Sequence, residues 1–319
     1  MSVPSRTTVL VVIAAAGFGC KDASAPSPTP PISEQALLAH ITFLADDSLY
    51  GRGAGTPAER RAAEYVRDQF VSYDLEPGVP GYLQVFSTGG LNPSPDATTQ
   101  SQNVIGVLPG RGALARQWVV IGAHYDHLGW RRISADSVVI FNGADDNASG
   151  TALLMEMARY LTHYFTRGEG ASVDRRSIMF HAYGSEELGL VGSFHFCGAP
   201  TVPMDSVAAM VNFDMVGRHQ QNGLTLIGTQ SASFWTELLP LANTDGLPLN
   251  YNDKYMGGSD QLCFYQAGRP VIFFFTGLHA EYHTPFDDVP LIDGEGMVDV
   301  AGMALRLLHK IVVRPALGG

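Results

Sequence analysis

Basic residues are outnumbered here. Twenty Lys and Arg stand against 31 Asp and Glu, a formal net charge of −11. A chain so short of positive charge lacks the basic face that phosphate backbones require, which excludes nucleic acid as a partner. The acidic balance suits cationic substrates and metal ions without identifying either. Cysteine is scarce as well, with only Cys20, Cys197 and Cys263, so no disulfide scaffold organises the fold. Cys197 and Cys263 are free to pair after export, and nothing in the sequence decides it. Their distance along the chain from the acidic cluster described below argues against thiolate ligands. No internal repeat is visible. No apolar run is long enough to span a bilayer.

What is present is apolar and well mixed. Of 319 residues, 45% are hydrophobic and 16% charged, enough for a large core and unlike a disordered composition. Residues 1–20 read as a signal peptide, with Arg6 as the positive n-region and residues 9–16 as the apolar h-region. Gly17-Phe18-Gly19-Cys20 resembles a bacterial lipoprotein cleavage box with Cys20 as the lipidated residue, although Gly17 sits where Leu is usual. An ordinary signal peptide cut nearby is the alternative. The expected location is periplasmic or extracellular, with membrane contact only through a lipid on Cys20. Residues 21–31, rich in Ser, Ala and Pro, read as a tether, and residues 32–319 as one catalytic domain.

Ser33 is a plausible cap for a helix over residues 34–46, and a second helix is expected over 58–73, where Ala62, Ala63, Tyr65, Val66, Phe70 and Val71 share one face. The intervening Gly51-Arg52-Gly53-Ala54-Gly55-Thr56-Pro57 superficially resembles a phosphate loop. It lacks the Gly-Lys-Ser/Thr ending and follows a helix, so it reads as a turn. From Asn103 onward, apolar runs at 104–108, 118–122, 178–180, 207–213 and 270–275 alternate with helical patterns at 149–165, 188–196, 231–242 and 294–313. Continuous apolar strands between helices imply an α/β fold: a mixed, mostly parallel central sheet with helices on both faces.

In such sheets ligands gather at the carboxyl ends of the strands. The run at 118–122 leads into His124-Tyr125-Asp126-His127, the one at 178–180 to Glu186-Glu187, the one at 207–213 to Asp214, and the one at 270–275 to Tyr282-His283. A fifth contribution is the turn Gly143-Ala144-Asp145-Asp146-Asn147-Ala148-Ser149-Gly150, whose small residues let backbone approach an ion closely. Imidazole and carboxylate without thiolate suit zinc or a similar divalent ion in an open, catalytic site. Two ions sharing a carboxylate need a bridge and about two further ligands each. Asp146 is the candidate bridge, and His124, Glu187, Asp214 and His283 the candidate ligands. His124 and Asp126 lie two apart at a strand end and face the same way, which places Asp126 to accept the second imidazole N–H of His124. Of the neighbours Glu186 and Glu187, one can bind metal while the other takes a proton from the attacking water.

Each residue also has an ordinary reading. A lone Asp146 would cap a helix, and a lone Glu187 would offset a helix dipole; the combination shifts both toward ligands. His127 reads as a loop or substrate-pocket residue rather than a ligand, and His181 as a satisfied core histidine. Trp130 and Phe141 read equally as pocket lining and as core. His40, His163, His195, His219, His279 and His309 show no partner pattern.

Five segments now stand in order: His124-x-Asp126, Gly143 to Gly150, Ser185-Glu-Glu-Leu-Gly-Leu-Val-Gly-Ser193, Asn212-Phe-Asp-Met215 and Tyr282-His-Thr-Pro285. Together they resemble the di-zinc aminopeptidase family, which includes the secreted Vibrio and Streptomyces leucine aminopeptidases, glutamate carboxypeptidase II and the glutaminyl cyclases. The resemblance runs from Glu34 to the end. It implies a zinc-exopeptidase fold of the phosphorylase/hydrolase-like type and two zinc ions, other divalent metals being compatible. It implies Asp146 as bridge, Glu187 and His283 completing one site, and His124 and Asp214 completing the other. It further implies Glu186 as general base, Tyr282 steadying the oxyanion, and a cis peptide at Asp146-Asn147. The chain departs from the pattern at Gln261, where many members have His after the Ser-Asp element that Ser259-Asp260 matches. Met256 stands at the oxyanion Tyr of the Vibrio branch, with Tyr255 one place away, so that role is divided between Tyr282 and Tyr255. The paired cysteines flanking that region in the Vibrio branch are absent.

A metal-dependent exopeptidase acting on peptides, and first an aminopeptidase, is the function expected. Carboxypeptidase activity stays open, because no residue decides which substrate terminus is held. A glutaminyl cyclase would carry one zinc, and retention of His124 and Asp214 argues against it. A non-catalytic binding protein, like the transferrin receptor ectodomain, would lack ligands or base, and none is missing. No pattern encodes the oligomeric state.

Overall fold

The computed structural model describes residues 1, 29–92, 94, 96–254 and 256–317. The signal-peptide and Cys20 readings, most of the tether and Tyr255 lie outside the described residues. In chain order the helices are α1 (Glu34–Leu44), α2 (Pro57–Ser72), α3 (Gly150–Thr166), α4 (Val191–Gly198), α5 (His219–Asn222), α6 (Trp235–Ala242), α7 (Gln261–Gln266) and α8 (Gly294–Val313). The strands are β1 (Glu76–Pro77), β2 (Leu83–Ser87), β3 (Gln100–Leu108), β4 (Trp118–His124), β5 (Trp130–Ser134), β6 (Ser137–Ile140), β7 (Ser177–Tyr183), β8 (Val207–Phe213), β9 (Leu224–Ile227), β10 (Leu249–Tyr251) and β11 (Val271–Phe275).

Among the described residues nine strands form one sheet in the order β1-β3-β7-β4-β8-β11-β9-β10, with β2 also on β3, and β5 and β6 form a separate hairpin. The centre β7-β4-β8-β11 is parallel. The antiparallel pairings lie on its flanks, with β3 against β7 and β9 against β11. Alternate residues of each central strand enter opposite layers, as the two-residue period of a strand requires. Val119, Ile121 and Ala123 of β4 join Ile178, Phe180 and Ala182 of β7 in a large core under α1, α2, α3, α6 and α8. Val120, Met179, Met210 and Val271 face the other way, onto Phe196 of α4 and Phe264 of α7. Cys197 and Cys263 form a disulfide between α4 and α7, with Cα atoms 6.1 Å apart.

Local chemistry explains the element ends. Ser33 caps α1 by accepting from the Ala36 N–H at 3.2 Å. At α2, Thr56 Oγ1 accepts the Glu59 N–H at 3.1 Å while Glu59 reaches back to the Gly55 N–H at 2.6 Å. This reciprocal cap occupies the Gly55 and Glu59 N–H groups with the chain's own side chains, so the phosphate-loop look-alike does not offer those donors to an anion. The helix expected from residue 188 starts only at Val191, because Gly189 and Leu190 take φ of 96° and 63°. The pattern at 231–242 likewise turns helical only from Trp235. His181 departs from its expected role. It is fully buried against Tyr183 and Phe196 at ring separations of 4.0 and 4.6 Å, and neither ring nitrogen has a partner. Burial pulls its pKa well down, so the ring packs as a neutral apolar plate.

One buried carboxylate of the core faces the N-terminal helix. Glu156 on α3 receives Arg159 at 2.9 and 2.8 Å and faces His40 of α1 at 3.7 Å. Burial pushes the Glu156 carboxyl up, and the contacts with His40 and Arg159 pull it down by more, leaving it below the ordinary 4.5. A depressed carboxyl stabilises the fold above its unfolded pKa, and that contribution is lost as pH falls through the folded value. Thermal melts from about pH 7 to about pH 3 should therefore show a smaller acid-induced drop for Glu156→Gln than for the native chain. Parallel drops in the two proteins would refute the linkage.

Candidate active site

Because β7, β4, β8 and β11 are parallel, their carboxyl ends open on one side of the sheet, and each sends a polar residue there. His124 closes β4, opposite Tyr183 of β7. Glu186 and Glu187 follow β7, Asp214 follows β8 directly, and the segment after β11 carries Tyr282 and His283. Asp146 comes from the turn before α3, where its backbone leaves the helical region at φ −104° and ψ 95° and its peptide to Asn147 is cis.

The two oxygens of Asp146 face different partners. Oδ1 lies 3.3 Å from His124 Nε2, which is also 3.3 Å from Asp214 Oδ1. Oδ2 lies 3.1 Å from His283 Nε2, which is 3.2 Å from Glu187 Oε2. Two sets of donors therefore share one carboxylate. Donors around a tetrahedral zinc at about 2.0 Å stand roughly 3.3 Å apart, so the spacing fits such an ion. Charge argues the same way. Asp146 and Asp214 are buried and Glu186 and Glu187 partly buried around imidazoles, and carboxylates crowded in such surroundings call for a cation. Grouped by their closest atoms, His124, Glu186 and Asp214 form one potential metal-holding cluster and His127, Asp146 and Glu187 another.

The surroundings push these groups apart electrostatically. Burial would raise Asp146, but His127, His124 and His283 hold it well below the usual carboxylate range. Burial and Asp146 would raise Glu187, and His127 and His283 hold it low. Glu186 is pushed well above the usual range, first by burial; His124 opposes the rise, and Asp214, Asp260 and Glu187 add to it. One glutamate is thus kept ionised while its neighbour is poised to carry a proton.

The structure gathers all eight expected residues: His124, Asp126, Asp146, Glu186, Glu187, Asp214, Tyr282 and His283. Asp126 works differently from the expectation. His124 Nδ1 is 3.2 Å from the Asp126 backbone carbonyl and 3.8 Å from its carboxylate. The carboxylate instead accepts the backbone N–H groups of Glu186 at 2.9 Å and Glu187 at 3.3 Å. Two main-chain donors compete for it, and the carbonyl is left to orient the imidazole. His127 also departs from its expected role. It is buried and bonded to Glu187 Oε1 at 2.7 Å. Trp130 and Phe141 do not reach the site. Trp130 donates to Asp96 at 3.1 Å, and Phe141 packs under Arg131 at 4.9 Å. The cavity of about 500 Å³ is lined by the polar cluster together with Met215, Phe273, Phe275, Leu278 and Tyr282. Gln261 lies behind it. Its Oε1, with Ser259 Oγ, accepts from Asn212 Nδ2 at 3.1 and 2.8 Å.

Two supporting residues escaped the sequence reading. Arg52 is wholly buried and donates to the carbonyls of Leu44, Tyr125, Asn142 and Gly143 at 2.5, 2.8, 2.6 and 3.0 Å, which clamps the His124 loop to the Asp146 turn. Burial lowers its pKa to about 10, with Asp126, Asp146, Asp287 and Glu187 opposing, so it stays charged. Asp287, four residues after His283, accepts the N–H groups of Asp145 at 3.0 Å and Asp146 at 3.0 Å. The Asp pair in Pro285-Phe286-Asp287-Asp288 was the only sequence signal for it.

This arrangement, imidazoles and carboxylates at the carboxyl ends of parallel strands, defines a metallopeptidase-like site. A model of peptidase family M28 matches residues 103–308, well over half of the chain, and the chain belongs to that family. Aminopeptidase YwaD of Bacillus subtilis is 29% identical over 226 residues, 66% of this chain and 45% of that protein. Leucine aminopeptidase 1 of Uncinocarpus reesii is 26% identical over 223 residues, 66% of this chain and 54% of that protein. The chain thus spans about half the length of the curated relatives it matches. Among solved structures, the zinc aminopeptidase BSAP from Bacillus subtilis aligns with a TM-score of 0.70 at 18% identity, over 91% of this chain and 98% of that one. A Zn-dependent exopeptidase from Parabacteroides distasonis aligns with a TM-score of 0.66 at 18% identity, over 87% and 98%. At these identities the structural likeness establishes the fold.

Asp287 supplies a stability prediction. Asp287→Ala leaves the Asp145 and Asp146 N–H groups buried and unpaired, which should cost about 2–4 kcal/mol in urea unfolding of the metal-free chain. Asp287→Asn keeps one acceptor oxygen and should lose less. An Ala variant within about 0.5 kcal/mol of the native chain would remove Asp287 from its assigned role.

Proposed function

We propose that the chain is a di-zinc exopeptidase that releases N-terminal residues from peptides, with residues 32–319 as its catalytic unit. The observation that carries this reading is Asp146, whose two oxygens address two separate sets of imidazole and carboxylate. His124 and Asp214 would hold one ion, Glu187 and His283 the other, and Asp146 both. Ions held there would supply Lewis-acid polarisation of the scissile carbonyl and acidify the attacking water. The names of the relatives support an aminopeptidase, with other divalent metals compatible.

The chain's own residues supply the rest. Glu186, with its raised carboxyl, takes a proton from the attacking water and delivers it to the leaving amine. Tyr282 is stacked on His283 at 3.8 Å and keeps its phenolic proton, because burial and then the surrounding carboxylates push its pKa up. Its hydroxyl can therefore donate to the developing oxyanion. Asp126 fixes the main chain of both glutamates, so base and ligand are aimed together. Met215, Phe273, Phe275 and Leu278 give the cavity an apolar wall, which suits an apolar N-terminal side chain. The signals in residues 1–20 support export with a lipid on Cys20. No described helix is long and apolar enough to cross a membrane.

Metal analysis with an aminoacyl-anilide panel, before and after chelation, tests this reading. The expected result is near two zinc ions per chain, chelator-sensitive release and preference for apolar residues. Cleavage confined to peptides with blocked amino termini would replace the aminopeptidase with a carboxypeptidase. One zinc with cyclisation of N-terminal Gln peptides would replace it with a cyclase, and absence of metal would leave a binding protein. In the same assay Glu186→Gln should keep its metal and lose about 10²–10⁴-fold in kcat. Near-native turnover in that variant would reassign the base.

A further inference from the structure

We infer that His127 is a positioning residue for Glu187, fixing which carboxylate oxygen is left to face His283 and Asp146. The inference rests on the di-metal reading above. The two oxygens of Glu187 have separate partners. Oε1 is 2.7 Å from His127 Nδ1, and Oε2 is 3.2 Å from His283 Nε2. An ionised carboxylate only accepts hydrogen bonds, so Nδ1 of His127 carries the proton and donates it. One oxygen is thereby occupied and the other is presented.

Geometry separates this role from ligation. The 2.7 Å contact is a hydrogen-bond length, shorter than the roughly 3.3 Å between two donors on one tetrahedral zinc. His127 Nδ1 stands 3.7 Å from Asp146 Oδ2, beyond the 3.1 Å at which His283 Nε2 stands from the same oxygen. The other ring nitrogen, Nε2, is buried with no hydrogen-bond partner.

The chain is built to keep this ring in place. His127 has a fully buried side chain and lies edge-on to His283 at 5.7 Å. Gly143, at φ 58°, opens the Asp146 turn; a Cβ there would come within 2.5 Å of His127 Cγ and Cδ2. That glycine therefore both permits the left-handed backbone and clears space for the imidazole. Asp126 holds the backbone N–H of Glu187 while the next residue holds its side chain, so one dipeptide fixes both ends of one ligand. A flexible glutamate fixed in this way has less freedom to lose when the ion arrives, and such outer partners are worth about 10–100-fold in metal affinity.

Zinc titration of the chelator-stripped full chain tests this, with cobalt(II) absorption as a second readout. His127→Ala should weaken one of the two sites about 10–100-fold and leave the other unchanged. His127→Asn places an amide N–H near the position of Nδ1, and should recover most of that affinity with a native-like cobalt spectrum. It keeps more of the bulk than Ala and decides the case if His127→Ala does not fold. Unchanged affinity at both sites in the Ala variant would overturn the inference. So would an Asn variant as deficient as Ala with an altered cobalt spectrum, which would make His127 a ligand. A native chain that takes up no zinc would overturn this inference and the di-metal reading together.

Discussion

Everything at the carboxyl edge of this sheet answers one electrostatic demand. Asp146, Glu187 and Asp214 converge at the wall of one cavity, where like charges repel and desolvation is costly. Imidazoles offset part of that charge, and a divalent cation is the natural remainder. The neighbouring residues then read as a rigid frame. Arg52 ties four carbonyls around the His124 loop and the Asp146 turn, and Asp287 holds the backbone that aims the Asp146 carboxylate. Because these bonds run to main chain, they fix position without occupying the side-chain atoms of His124 and Asp146.

The same crowding assigns roles to adjacent residues. Glu186 and Glu187 are neighbours in sequence and nearly identical in chemistry, yet their surroundings drive them in opposite directions. Two imidazoles reach Glu187. Glu186 meets one, His124, and its burial, with Asp214, Asp260 and Glu187 nearby, outweighs it. Two neighbouring carboxyls of one dipeptide are thus given opposite acidities by what each side chain touches.

The sequence disclosed what is local or periodic. The apolar strands 104–108, 118–122, 207–213 and 270–275 were legible because a doubly covered sheet demands unbroken hydrophobic runs. The ordered motifs carried the eight candidate residues. Strands β9 and β10 and the β5–β6 hairpin were not read, being short and carrying too few consecutive apolar residues to register. Arg52 looked like part of a glycine turn, because its partners Tyr125 and Asn142 are 73 and 90 positions away. His127 gave the same difficulty, since Glu187 lies 60 positions on. A side chain's neighbours in sequence say little about a hydrogen bond closed by the whole fold. The Asp126 carboxylate was misassigned for a related reason: the competing donors belong to the main chain, which has no residue signature.

The β5–β6 hairpin leaves the chain just after His127 and returns just before Asp146, yet it lies outside the main sheet. Its neck is stitched shut. Gly129 bonds to the Gly51 carbonyl at 3.0 Å, Phe141 bonds to the Gly129 carbonyl at 3.0 Å, and Arg52 grips Asn142 and Gly143 beyond them. The spacing between His127 and Asp146 is therefore set at that seam, independently of how far the arm extends beyond it.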